Sequence, residues 1–159
     1  VSSLVPRPSI VPPAPADAGP TIVNDGFFPD VDPNALRLQA RVRETVLPER
    51  LREAVLAAMM TIANDLQPWR ETKAAAVASL DEVPSTTLGG ESRLIVLYRR
   101  ALTCFVKAEL IERNRDFDQT GAGQRDVQDL DGSAEELRRD ARHAIRDFLG
   151  RPRNTVALI

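Results

Sequence analysis

Leu94-Ile-Val-Leu-Tyr-Arg-Arg-Ala-Leu-Thr-Cys-Phe-Val-Lys-Ala-Glu-Leu-Ile111 is the stretch that decides the fold. At 3.6 residues per turn, Leu94, Ile95, Leu97, Tyr98, Leu102, Phe105, Val106, Leu110 and Ile111 cover most of a helix's circumference. Arg100, Thr103 and Lys107 leave only a narrow polar strip. A helix this apolar, expected from Glu91 or Ser92 to about Arg115, is central. It is either enclosed by its own domain or shared with neighbouring subunits. Arg99, Arg100, Lys107 and Glu109 interrupt the run, so it is not a membrane span, and no membrane partner is expected.

Working outward, the neighbouring segments also read as helices. Asp32-Pro33 pairs an N-cap with an N1 proline, and Ala35, Leu38 and Val42 then share a face to about Glu44. Pro48 suits a second N1 position. From there Leu51, Val55, Met59, Ile62 and Leu66 recur at spacings of four and three, a clear amphipathic stripe. Pro68 falls inside the continuing pattern of Trp69, Lys73 and Val77, and a kink or break is expected there. Asp81 to Gly90 reads as a loop. Ser133-Ala-Glu-Glu136 is a capping box, Leu137, Ala141, Ile145 and Phe148 form the stripe behind it, and Gly150 with Pro152 ends the helix. The fold class is therefore all-α, a helical bundle.

Both flanks differ from this body. Eight of the twelve prolines lie in the first 33 residues, a stretch without helical or strand periodicity. It reads as an extended arm unable to bury itself. It lacks the basic and apolar regions of a secretory signal. The last residues, Arg153-Asn-Thr-Val-Ala-Leu-Ile159, are β-prone and alternate weakly. They either add as a strand to another chain or fold back on their own bundle. The organisation is an arm over 1–31, a helical domain over 32–150 and a tail over 151–159.

The chemistry of the remaining residues excludes more than it supplies. One His and one Cys, His143 and Cys104, make a His–Cys metal cage or a disulfide framework impossible. Asp116-Phe-Asp118-Gln-Thr120-Gly121 matches the opening of a calcium loop, but position twelve is Val127 where a bidentate Glu is needed. His143 has Asp140 and Asp147 a turn to either side but no nucleophile placed to use it. Cys104 reads as a buried packing thiol, and Trp69 as either a partner anchor or a core cap. No cofactor, metal or catalytic residue is expected, and the protein is not read as an enzyme.

The formal net charge is −2, and every basic residue except Lys73 and Lys107 is Arg. Near neutrality counts against a dedicated nucleic-acid-coating role. The Arg strips (Arg37 and Arg41; Arg99 and Arg100; Arg138, Arg139, Arg142 and Arg146) read as solvated faces. In a ring, one of them meets DNA phosphates nonspecifically.

Several segments together resemble the head-completion protein L family of temperate, contractile-tailed phages. They are Phe27-Phe-Pro-Asp-Val-Asp-Pro33, Thr45-Val-Leu-Pro-Glu-Arg-Leu-Arg-Glu-Ala54, Asp81-Glu-Val-Pro84, Gly90-Glu-Ser92 and Tyr98-Arg-Arg-Ala101. Leu110-Ile-Glu-Arg113, Arg139-Asp-Ala-Arg142 and Gly150-Arg-Pro-Arg153 complete the set, which spans roughly residues 25 to 159 in the family's order. The arm before about residue 22 and Pro68 depart from the pattern.

The resemblance implies a virion structural protein of the head–tail neck, present in host cytoplasm during assembly. It would bind the portal vertex after DNA packaging, complete the head and offer the surface for tail attachment. The implied partners are the portal protein, tail-completion or neck proteins and further copies of the chain. The helical adaptors of other tailed phages form rings of twelve, and DNA in the channel is a further nonspecific contact. On this reading Phe27, Phe28 and Pro29 anchor in a partner groove, and Asp30 and Trp69 are further partner-binding residues. Arg153, Val156, Leu158 and Ile159 pair with portal or neighbouring subunits. The runner-up is a small helical DNA-binding or regulatory module acting as a monomer or dimer, for which a basic recognition helix is missing.

Overall fold

The computed structural model describes residues 17–115 and 133–152. Among the described residues four helices form the body: α1 (Pro33–Gln39), α2 (Pro48–Ala74), α3 (Arg93–Arg115) and α4 (Ala134–Phe148). A 3-10 turn at Leu80–Glu82 and a small antiparallel hairpin of β1 (Thr87–Leu88) and β2 (Glu91–Ser92) lie between α2 and α3. The hairpin pairs Thr87 with Ser92 and Leu88 with Glu91. It occupies part of the segment expected to be a plain loop. Gly89 and Gly90, at φ 59° and 85°, supply the two left-handed positions that a two-residue hairpin turn requires.

Helix α3 is central, as its composition requires. It packs along α4, against α2, and against the 3-10 turn and hairpin. Leu94, Tyr98, Ala101, Leu102, Phe105, Val106, Ala108 and Leu110 are buried, so most of its circumference is enclosed by its own domain. Cys104 is only half-buried, a correction to the expected core thiol. The predicted stripe of α2 is the buried face: Leu51, Val55, Met59, Ile62 and Leu66 all point inward, with Ala54 and Ala58 between them. Each large aliphatic on that face contributes about 1.5–3 kcal/mol by leaving water.

Pro68 does not break α2, which continues to Ala74. The proline is on the exposed side, where a lost backbone bond faces water, while Trp69 turns inward against Phe27 and Phe148. Thr72 Oγ1 donates to the Pro68 carbonyl over 3.0 Å.

Helix α1 begins as expected, with Asp32 accepting from the Asn34 amide at 2.8 Å and Pro33 at N1. It ends five residues earlier than the apolar pattern suggests, and a different face is buried. Leu38 is 69% exposed, whereas Leu36 and Arg37 turn inward. Arg37 explains both differences. Its guanidinium donates from Nη1 to the Arg43 carbonyl and from Nη2 to the Val46 carbonyl, each over 2.9 Å. The chain after Gln39 is thereby folded around a buried cation instead of continuing as helix. Arg41 takes a left-handed φ of 50° in that turn. Arg37 is thus a structural residue and not part of a solvated strip.

Helix α4 carries the predicted capping box, Glu136 N to Ser133 Oγ at 3.2 Å and Ser133 N to Glu136 Oε2 at 2.9 Å. At its other end Gly150, at φ 67°, turns the chain. Its amide donates to Asp147, and the Arg151 amide to Arg146, the paired bonds of a Schellman close.

The segment before α1 requires the largest correction. Residues 17–31, expected to be extended and unable to bury themselves, pack on the helices. Ala18, Ile22, Phe27, Phe28 and Val31 all belong to the hydrophobic core. Ile22 and Val31 exchange backbone bonds of 2.8 and 3.0 Å, closing the segment into a loop. Within the described part, residues 17–31, no helix forms, as the prolines require, but proline density carries no information about aromatic burial.

Candidate partner-binding face

The Asn24–Asp30 loop is assembled by its own polar side chains. Asp25 Oδ1 accepts from the amides of Phe27 and Phe28, both at 3.0 Å. Asn24 donates its amide to Asp30 Oδ1 (2.8 Å), and its side chain donates to the Pro29 carbonyl (3.1 Å) and to the Tyr98 hydroxyl (2.8 Å). The Leu80 amide donates to the Phe27 carbonyl over 2.8 Å, tying the loop to the 3-10 turn. From α2, Arg70 Nε reaches Asp25 Oδ2 at 2.8 Å while its guanidinium lies 5.6 Å from the Phe27 ring centroid.

These bonds aim two rings into the body. Phe27 and Phe28 meet edge-on at 5.3 Å between centroids. Phe28 stacks on Tyr98 at 5.0 Å, and Phe27 meets Trp69 at 6.3 Å. Trp69 in turn meets Phe148 of α4 at 4.7 Å. Five of the chain's seven aromatic residues therefore form one connected cluster joining the loop, α2, α3 and α4. Scarce in the composition, aromatics are concentrated where four segments meet. Burial pushes the Tyr98 hydroxyl up to about 12, with the Asp25 charge adding a smaller push and the Asn24 bond opposing it.

The residues expected to meet partners are placed as follows. Phe27 and Phe28 are each 4% exposed, filling a groove of their own chain. Trp69 and Pro29 are half-buried, and Asp30 is exposed but committed to the Asn24 amide. Arg153, Val156, Leu158 and Ile159 lie outside the described residues, as does the calcium-loop-like stretch from Asp116. Of the Arg strips, Arg99 pairs with Glu91 at 2.5 Å and Arg138 with Glu112 and Glu109 across the α3–α4 contact. Arg41 and Arg142 are exposed. His143 is half-buried on α4.

Sequence reasoning missed the exposed apolar residues. Val23 is 74% exposed, Met60 63% and Leu47 58%, with Leu38 and Leu88 similarly open. Leu56 and Met60 lie one turn apart on the outer side of α2, opposite its buried stripe. Their spacing was visible, but they were hidden beside a stronger pattern. Among the described residues no group of His, Cys, Asp or Glu is placed to hold a metal ion, and no helix is long and apolar enough to cross a membrane.

A surface of this kind, with apolar patches around a polar-tied aromatic core, can do binding chemistry. The family comparison identifies its context. A model of the phage head completion protein (GPL) family matches residues 22–159. The chain belongs to the phage head completion protein family. It is 38% identical over 152 residues to the head completion/stabilization protein of Escherichia phage P2, covering 95% of this chain and 90% of that one. It is 30% identical over 141 residues to the probable head completion/stabilization protein of Haemophilus phage HP1, covering 87% and 91%. No solved structure matches it. Membership makes the chain a structural, non-enzymatic component of the phage head, associated with the virion. The match begins at Ile22, the first residue of the bridge that closes the loop, so loop and bundle belong to the family's unit together.

Proposed function

We propose that this head completion protein acts at the portal vertex once DNA is packaged, as a ring of copies that closes the head and receives tail-side neck proteins. Family membership over nearly the whole chain is the observation that carries the reading. The exposed apolar residues are consistent with it: Val23 beside the loop, Leu38 and Leu47 around the Arg37 turn, and Leu56 and Met60 on α2 offer surface for neighbouring chains. Phe27, Phe28 and Trp69 act in this reading by shaping the loop whose outer side, Val23, Pro29 and Asp30, is presented to a partner. Arg153, Val156, Leu158 and Ile159 contribute the tail contact.

The test is sedimentation of the purified chain with DNA-filled heads that lack it, prepared with and without portal. Binding to portal-bearing heads alone is expected. Equal binding to both preparations, or to neither, overturns the portal assignment.

A further inference from the structure

We infer that the uncovered side of α3 receives the Asn24–Asp30 loop of a second copy, basic strip against acidic loop, so that copies join head to tail. Arg93, Val96, Arg100, Thr103 and Lys107 recur at spacings of three and four and so share one face of the helix. From Arg93 to Ala108 the helix carries four basic residues and no acidic one. Its neighbours α2, α4, the hairpin and the 3-10 turn leave this side open: Arg99 and Arg100 are exposed, and Arg93, Val96 and Thr103 are half-buried. Arg99 is paired with Glu91, whereas Arg93 and Arg100 have no ion-pair partner among the described residues.

The N-terminal loop has the opposite character. Residues 17–36 hold Asp17, Asp25, Asp30 and Asp32 and no Lys or Arg. All four are exposed, and among the described residues only Asp25 meets a cation, that of Arg70. The others are oriented by backbone amides: Asp17 by Gly19 at 3.0 Å, Asp30 by Asn24 and Asp32 by Asn34, both at 2.8 Å. These carboxylates are held in place with their charge open. The bond from the Leu80 amide to the Phe27 carbonyl sets the exposed Asp81 and Glu82 beside the same loop.

Position on α3 selects the occupant. The loop packs where Phe28 stacks on Tyr98 and Asn24 bonds to its hydroxyl. Arg100 follows Tyr98 by two residues, about 200° around the helix. Loop and strip therefore face away from each other, and no chain can bring its own loop to its own strip. A second copy can. It supplies the complementary charge, with Val23, 74% exposed, to cover Val96 between Arg93 and Arg100. A DNA strand laid along the strip fits less well, because Asp140 of α4 shares the surroundings of Cys104 with Arg100 and Lys107 and would face the phosphates. Two surfaces on opposite sides of one chain make a heterologous contact, which repeats from copy to copy. The inference rests on the reading of a ring of copies and names the surfaces that build it.

The test reverses the charge on each surface, singly and together, in the full chain. Self-association is read by sedimentation of the free chain and as copies retained per DNA-filled, portal-bearing head. Arg100→Glu and Asp30→Lys should each weaken it about tenfold or more, since like charges then face each other. The double variant should recover most of the loss, because its two reversed charges again attract across the contact. Asp30→Asn keeps an oxygen for the Asn24 amide and should show a smaller loss, so a misfolded lysine variant does not decide the matter. Thermal unfolding is measured on all four. Single variants that associate like the unaltered chain overturn the contact and leave the ring standing, as does a double variant no better than the singles. Weaker binding of Arg100→Glu to a duplex of about 30 base pairs, with self-association unchanged, assigns the strip to DNA and also overturns the contact. An unaltered chain that is monomeric in solution and single on each head overturns the ring and the contact together.

Discussion

The side-chain amide of Asn24 donates to the hydroxyl oxygen of Tyr98 over 2.8 Å, joining two residues 74 positions apart. That bond fastens the N-terminal loop to the central helix, and its acceptor has an unusually high pKa. Burial and the Asp25 charge raise the hydroxyl to about 12, while an unfolded tyrosine titrates near 10. The folded state therefore holds the proton more tightly. The corresponding stability is fully present below pH 10 and is lost as the pH rises through 12. Over that window the loss should reach about 2–3 kcal/mol. In Tyr98→Phe this alkaline component disappears. At pH 7 the variant should lose only about 0.5–1.5 kcal/mol, because Phe28 still has a ring to stack on. Urea titrations at pH 7, 10 and 11.5 check both parts. Identical pH slopes in the two proteins would show that Tyr98 is not the titrating group.

Arg37 supplies a second prediction. It is 5% exposed and satisfies two backbone carbonyls in the turn between α1 and α2. Arg37→Met keeps much of the aliphatic stem but leaves both carbonyls without their donor. Each such loss costs about 1–3 kcal/mol where water cannot enter. A total of roughly 2–4 kcal/mol is expected, read as a lower denaturation midpoint. Lysine at the same position should rescue only part of it, having a point charge where a planar fork spans two oxygens. Full rescue by lysine would show that charge alone matters there.

How much of this was legible follows from the kind of signal each part carries. The stripe from Leu51 to Leu66, the near-continuous apolar α3 and the Ser133–Glu136 box are local periodicities, and local rules place them. Arg37 and the Phe27–Phe28 pair were misplaced because their burial depends on partners remote in sequence. The carbonyls of Arg43 and Val46, the ring of Tyr98 and the amide of Leu80 leave no trace at residues 27 or 37. Density of proline was mistaken for lack of tertiary contact, when it only forbids helix. The candidate site was legible as a family motif, Phe-Phe-Pro-Asp, but not in orientation: the two rings face inward. The exposed residues beside them, Val23 above all, have no pattern of their own.

Gly150 tests the close of α4. Its φ of 67° lies where a Cβ is disfavoured, yet a methyl there would meet no atom within 4 Å. Gly150→Ala should therefore cost about 1 kcal/mol from backbone strain alone, without a steric clash. Thermal unfolding measures that loss. A much larger penalty would mean that the turn is packed more tightly than the open space around it implies.

Cys104 gives a chemical readout of the α3 surface. Its half-buried position raises the thiol pKa, chiefly through desolvation, with Asp140 adding to the effect and Arg100 and Lys107 opposing it. Only the thiolate reacts, so modification by a maleimide or disulfide reagent should be slow at pH 7. Its rate should keep rising beyond the range where a free cysteine has levelled off. Mild urea below the unfolding transition should change this little, because the residue lies on the central helix. Rapid labelling at neutral pH would show that the thiol is more open than its surroundings indicate.

Met60 separates folding from assembly. It is 63% exposed on α2, one turn from Leu56 and opposite the buried stripe. Met60→Glu removes no core contact, and surface changes of this kind usually stay within about 0.5 kcal/mol. If α2 offers this side to a neighbouring chain, the buried carboxylate would carry a desolvation cost without a partner. The variant should then show an unchanged unfolding midpoint but at least about tenfold weaker assembly into heads, since each factor of ten is only 1.4 kcal/mol. Leu51→Glu serves as the contrast: that residue is wholly buried, so its substitution should abolish folding and assembly together. Undiminished assembly of the Met60→Glu chain would remove the outer side of α2 from the partner-binding face, leaving Val23 and the loop as its principal apolar surface.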